Sequence, residues 1–216
     1  MSLHNYSYGG ISMSQLKLTA ASGGGTVALK GPASTAGNAA IELTVPGTGS
    51  GTLAVGDTGK ILQVVSTTKT DSFTSTSTSY TDITGFSASI TPSSSSSKVY
   101  VIVHINSAAS TRYASFRLVR GSTNIAVGTD ITGSQEAVTF TAGSNTSNSY
   151  DNLILRNQSM AILDTPSTTS ATTYKLQGRI NYGTGDFYIN RQPYTDTTST
   201  YVARAASTIT LYEVAA

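Results

Sequence analysis

The chain reads as all-β, an antiparallel, jelly-roll-like sandwich head preceded by a thin N-terminal β segment. Three features lead there. Serine and threonine make up roughly three residues in ten, and β-branched threonine suits an exposed sheet face. Charged residues are 11% of the chain, and tryptophan and cysteine are both absent, so the core is lean and neither disulfides nor thiolate metal sites are available. No segment longer than a turn or two shows helical i, i+3, i+4 spacing, whereas period-two alternation recurs between Gly, Ser, Asn and Pro clusters.

The most informative stretch begins at Lys98. Read as a strand, it sets Val99, Val101, Val103 and Ile105 on one face and Tyr100, Ile102 and His104 on the other. Both faces are largely apolar, which predicts a strand in the middle of a two-layer β structure, covered by a second sheet or by another subunit.

Residues 1–59 differ from 60–216, and we divide the chain there into an attachment and trimerisation segment and a head. The first part carries short runs of small aliphatics (Leu16 and Leu18; Val27 and Leu29; Ile41, Leu43 and Val45) between dense glycine punctuation such as Gly23-Gly24-Gly25 and Pro46-Gly47. At about 25 cal/mol per Å2 such strands bury too little area to offset their ordering entropy in an isolated chain. Three copies around one axis would let each strand bury its apolar side against its neighbours, which predicts a homotrimer. The alternative is a flexible glycine-rich leader.

From 60 onward the expected strands are 61–68, 80–90, 98–108, 113–120, 123–127, 135–141, 152–155, 159–163, 172–182, 186–191 and 207–214. Along 174–180, Tyr174, Leu176 and Ile180 face inward while Lys175, Gln177 and Arg179 face outward. Arg120-Gly121-Ser122-Thr123 reads as a hairpin turn, and Tyr182-Gly183-Thr184-Gly185-Asp186 as a second one leading into Phe187. The serine run from Ser93 to Ser97 reads as a solvated loop, and the last strand places the C-terminus inside a sheet, where it is ordered.

The chemistry is sparse. Thirteen basic and 11 acidic residues are scattered singly for a net charge of +2, which leaves no electrostatic footprint for nucleic acid. No apolar stretch is long enough to span a membrane, and 1–10 lacks the apolar core of a signal peptide, so synthesis in a cytoplasm without export is expected. Two histidines, His4 and His104, are too few for a histidine-rich metal site. Asp164 and Asp186 are the carboxylates most readily imagined as a glycosidase pair, though nothing in their spacing sets them ~5 to 10 Å apart. No nucleophile-elbow or phosphate-cradling sequence is present. The expectation is no enzyme, no catalytic residues, no cofactor and no metal.

Binding fits better. Aromatics cluster late, and the stretch from Asn190 to Asp196 is the best candidate for a presented loop. Arg191, Tyr194, Tyr201 and Arg204 are the candidate receptor contacts, because Tyr and Arg supply contact area at low entropic cost. Phe187 is expected to pack inside the sandwich.

Several stretches also resemble a known family. Gly59-Lys60-Ile61-Leu62-Gln63-Val64-Val65, Thr78-Ser79-Tyr80-Thr81-Asp82-Ile83-Thr84-Gly85, Leu118-Val119-Arg120-Gly121-Ser122-Thr123, Leu163-Asp164-Thr165-Pro166-Ser167-Thr168-Thr169 and Ser207-Thr208-Ile209-Thr210-Leu211-Tyr212-Glu213 resemble a C-terminal module frequent in structural proteins of marine bacteriophages. The stretch from Leu18 to Pro32 looks like the leader that often precedes it. The resemblance implies a non-enzymatic, homotrimeric virion protein on the tail or capsid surface, namely a tail fibre or fibre tip for host attachment, or else a capsid decoration or head fibre. Its partners would be other phage virion proteins (a tail or baseplate adaptor, or the major capsid protein) and a host surface glycan or protein. Only about 59 residues precede the head, fewer than in many fibres of this kind, so His4, Tyr6, Tyr8 and Ile11 are the candidate virion-attachment residues.

Overall fold

The computed structural model describes residues 59–110, 113–143, 154–181 and 184–216, together with the backbone of two earlier strands. The chain divides into two units, Met1–Leu53 and Ala54–Ala216. In the first, β1 (Gln15–Thr19) and β2 (Thr26–Lys30) pair antiparallel, with Leu16 opposite Leu29 and Leu18 opposite Val27. The strand expected around Ile41, Leu43 and Val45 lies outside the described residues.

The second unit holds the head. Its strands are β3 (Ile61–Lys69), β4 (Phe73–Ser75), β5 (Thr81–Ile90), β6 (Lys98–Ala109), β7 (Ala114–Arg120), β8 (Thr123–Ile125), β9 (Phe140–Ala142), β10 (Arg156–Asp164), β11 (Thr172–Ile180), β12 (Phe187–Ile189) and β13 (Ser207–Val214). Their pairing is nested: β3 pairs with β13, β5 with β11, β6 with β10, and β7 with β8 and β9, all antiparallel. A long hairpin rolled so that successive pairs fall alternately in two sheets gives this order, which is the jelly roll. One sheet runs β3-β13-β6-β10, with β12 and β4 continuing the edge of β6 beyond β13; the other runs β5-β11-β7-β8, with β9 also on β7.

Period-two alternation places the core. Val99, Val101, Val103 and Ile105 of β6 are buried, joined by Ile209 and Leu211 of β13, and they meet Phe86 and Ile90, Phe116 and Leu118, and Leu176 and Ile180 from the facing sheet. Each such side chain contributes roughly 1.5–3 kcal/mol relative to exposure. Two devices close the sandwich. At one edge the Arg120 guanidinium bonds both Asp164 oxygens (2.7 and 2.8 Å), and the buried Tyr174 hydroxyl donates to the same carboxylate at 2.7 Å, tying β7 and β11 to β10 across the layers. Across the middle, Phe187 of β12 lies edge-on to Phe116 at 5.4 Å and fills the space above Gly178, where a Cβ would stand 2.8 Å from the ring.

The β7–β8 hairpin forms as expected, with Arg120 opposite Thr123 and Gly121 at φ 58°, the first central position of a two-residue turn. The C-terminus is also held in a sheet, since the Ala215 amide donates to Lys60 O and the Gly59 amide to Ala215 O. Within the serine run, Ser93 to Ser96 are exposed, while Ser97 is buried.

Several expectations are corrected. The stretch after 180 is not a hairpin arm of β11, because β12 pairs with β4 and β6 in the opposite sheet, drawn there by burial of Phe187 and Ile189. Residues 135–139 are not strand: the Thr132 amide donates to Gln135 Oε1 and the Gln135 amide to Thr132 O, closing a turn around Gly133 at φ 60°. Residues 154 and 155 are not strand either, and β10 starts at Arg156 and runs unbroken to Asp164. β4 was not anticipated, since Phe73 is the only apolar residue of a three-residue strand in a run of hydroxyls.

Candidate binding loop

The segment between β12 and β13 (190–206) is long and irregular, yet its base is fixed. Asn190 is fully buried at φ 62°, a left-handed conformation that asparagine tolerates better than most residues. Its side-chain amide donates to the carbonyls of Lys69 (2.7 Å) and Asp71 (3.0 Å), and its oxygen accepts from the Ser207 hydroxyl at 2.6 Å. The backbone joins in, with Asn190 N donating to Asn106 O, Ala205 N to Asn190 O, and Asn106 N to the Ser207 hydroxyl. Arg191 and Arg204 then face each other across an antiparallel bridge, so the two loop arms leave the sheet side by side.

Above this base the buried Gln192 braces the arms. Its Oε1 accepts from the Ala203 amide at 2.6 Å, and its Nε2 reaches Tyr201 O at 3.4 Å. Arg191 lies over the Tyr188 ring at 4.9 Å and donates to the carbonyls of Gln192 and Pro193. At the tip, Asp196 accepts from the Thr198 amide and hydroxyl and from the Ser199 hydroxyl, an Asx-type turn. The Ser199 and Thr198 donors lower its pKa to about 2.

What this scaffold presents is aromatic. Tyr194 and Tyr201, one from each arm, stack with centroids 6.3 Å apart and planes inclined by 24°, and they are 42% and 57% exposed. Arg204 is exposed on the same arm as Tyr201, and its guanidinium donates to Ala203 O at 3.3 Å. The four residues singled out in the sequence thus share one loop, although Arg191 is half-buried and spends its guanidinium on the loop itself. Asn190 and Gln192, read in the sequence as part of the presented stretch, are corrected to buried anchors. The signal that could have found Asn190 is its residue type at a strand end, where a left-handed turn is needed. The candidate attachment residues His4, Tyr6, Tyr8 and Ile11 lie outside the described residues.

This constellation offers flat aromatic area, the exposed guanidinium of Arg204 and many hydroxyls. Asp164 is occupied by Arg120 and Tyr174, and Asp186 accepts from Tyr188 at 3.1 Å. Among the described residues no group of three His, Cys, Asp or Glu side chains converges on a common point, and no helix is long and apolar enough to cross a membrane. Elsewhere a shallow groove of about 380 Å3 lies between the β7–β8 turn and the loop after β10, lined by Arg120, Ser122, Pro166 and Thr168 among others.

No protein-family model matches the sequence, and no curated protein is similar to it. Among solved structures, the VP2 subviral particle of infectious bursal disease virus is similar at 16% identity and a TM-score of 0.35, over 88% of this chain and 50% of that one. A structure of the Gx strain of infectious bursal disease virus is similar at the same identity and TM-score, over 88% of this chain and 44% of that one. The chain spans about half the length of the structures it matches.

Proposed function

We propose that this protein is a structural component of a phage virion, a homotrimeric tail fibre or fibre tip whose jelly-roll head meets the host surface through the β12–β13 loop. The observation that carries the reading is the exposed Tyr194–Tyr201 stack on a loop pinned by a buried base. An aromatic surface held rigid before contact loses little entropy on binding, which is how Tyr-rich contact surfaces gain affinity for glycans and proteins. The sequence resemblance to the marine-phage module supports the assignment to a virion. In this reading the N-terminal segment joins the three chains and attaches them to a tail or baseplate adaptor.

The test is to incubate labelled full-length protein with cells of the bacterium the virus infects and, separately, with emptied capsids. Binding to cells that falls when Tyr194 and Tyr201 are replaced by alanine supports the proposal. Binding to capsids alone replaces it with a decoration protein of the shell.

A further inference from the structure

The two outer faces of the sandwich are chemically opposite. On the β5-β11-β7 sheet the outer face is a charged network: Lys175 and Gln177 hold Asp82 (2.8 and 2.6 Å), Arg179 meets Glu136 at 3.0 Å, and Arg117 lies 3.8 Å over the Tyr80 ring. These groups are paired with one another, apart from Arg179 Nε, which is buried without a hydrogen-bond partner. The outer face of the β3-β13-β6-β10 sheet has no such network. Its register sets Val64, Tyr212, Tyr100 and Leu163 in one row across four strands, and Ser66, Thr210, Ile102 and Ala161 in the next, where the Ser66 and Thr210 hydroxyls bond each other at 2.9 Å. Val64 and Leu163 are 55% and 53% exposed, Tyr100 and Tyr212 sit 6.2 Å apart, and no ionisable carboxylate, lysine or arginine stands within these two rows.

We infer that this face is where the heads of neighbouring copies of the chain pack together, an inference that rests on the homotrimer proposed above. Two arguments select a second copy over a foreign partner. The first is composition: interfaces between permanently associated copies are more apolar and poorer in charge than those with transient partners, which match the general surface. The second is area. Four strands about 4.8 Å apart and two rows spaced about 6.6 Å along them give a charge-free face on the order of 250 Å2, short of the ~800 Å2 per partner that a free-standing pair needs. A foreign protein with only this face to hold would bind weakly. Copies already joined through another part of the chain meet at a high effective concentration, and a face of this size then suffices.

The chain has no cysteine, so single substitutions report contacts cleanly. Full-length protein is examined by sedimentation, alongside Val64→Thr and Leu163→Thr, which leave a strand-compatible β-branched residue at each position and spare the core. Val64→Cys and Leu163→Cys are each treated with a short bismaleimide. The inference expects three chain masses for the unchanged protein, a shift toward the single chain of at least tenfold in concentration for the threonine variants, and cysteine crosslinks between copies. If the unchanged protein is trimeric but the threonine variants associate equally well and no crosslinks form, the face is wrong while the trimer stands. A single chain at all concentrations sinks both readings, and if capsids then capture it only with the face intact, the occupant is the shell.

Discussion

The Ser207 hydroxyl donates to Asn190 Oδ1 at 2.6 Å with both residues fully buried, and this bond locks the first residue of the presented loop to the first residue of the last strand. Removing the Asn190 side chain strands the carbonyls of Lys69 and Asp71 as well as that hydroxyl. A buried group left without its partner costs about 1–3 kcal/mol, and alanine is further penalised at φ 62°. Asn190→Ala is therefore expected to destabilise the head by about 3 kcal/mol, and Asn190→Gly by less because glycine accepts that backbone. Chemical unfolding of the two variants checks the order; equal losses would show that the left-handed backbone carries no cost.

Tyr194 and Tyr201 make the opposite prediction. They are exposed and stacked on each other rather than on the core, so Tyr194→Ala and Tyr201→Ala should leave stability within about 0.5 kcal/mol. The proposed function expects each variant's binding to host cells to weaken by at least tenfold, the scale of an aromatic hot spot. Cell binding measured beside thermal unfolding separates the effects, and a large loss of stability with binding intact would make the stack a structural element.

Gly178 on β11 tests the packing between sheets. A Cβ there would stand 2.8 Å from the Phe187 ring and 3.0 Å from Phe116, so Gly178→Ala should cost about 1–3 kcal/mol by overpacking. Phe187→Leu in the same chain should recover part of the loss. A double-mutant cycle with no coupling between 178 and 187 would contradict the contact.

These sites differ in how far they could be read from the chain alone. The inward sets Val99, Val101, Val103, Ile105 and Tyr174, Leu176, Ile180 were legible because a buried strand imposes a period of two on its apolar residues. Gly121 was legible because a two-residue hairpin needs a positive φ. The sheet to which β12 belongs was not, since sequence proximity to β11 favours a hairpin and only the three-dimensional fit of Phe187 over Gly178 sends it across. The loop's aromatic and basic residues stood out by type. Its anchors did not, because Asn190 and Gln192 are polar, and polarity in a loop ordinarily signals exposure.

Acid should destabilise the head through its carboxylates of lowered pKa; beside Asp71 and the loop-tip Asp196, three tie separate parts of the head together. The Lys175 ammonium and the Gln177 amide lower the Asp82 pKa. Burial pushes Glu136 up, but the Tyr80 hydroxyl, Arg179 and Asn181 more than offset it and leave it lowered. Glu213 behaves likewise, its burial outweighed by the Ser93 amide and hydroxyl, both at 2.6 Å. A carboxylate with a lower pKa folded than unfolded binds fewer protons in the folded state. Its stabilisation is complete above the unfolded value of about 4 and is lost as pH falls through the folded value. The melting temperature should therefore be level from pH 7 to about 5 and drop steeply below about 4. Glu213→Gln keeps an oxygen to accept from Ser93 but cannot gain a proton, so it should melt lower at pH 7 and show a shallower acid slope. Thermal denaturation followed by circular dichroism reads both, and a melting temperature unchanged down to pH 3 would show that these carboxylates are not stabilised in the folded head.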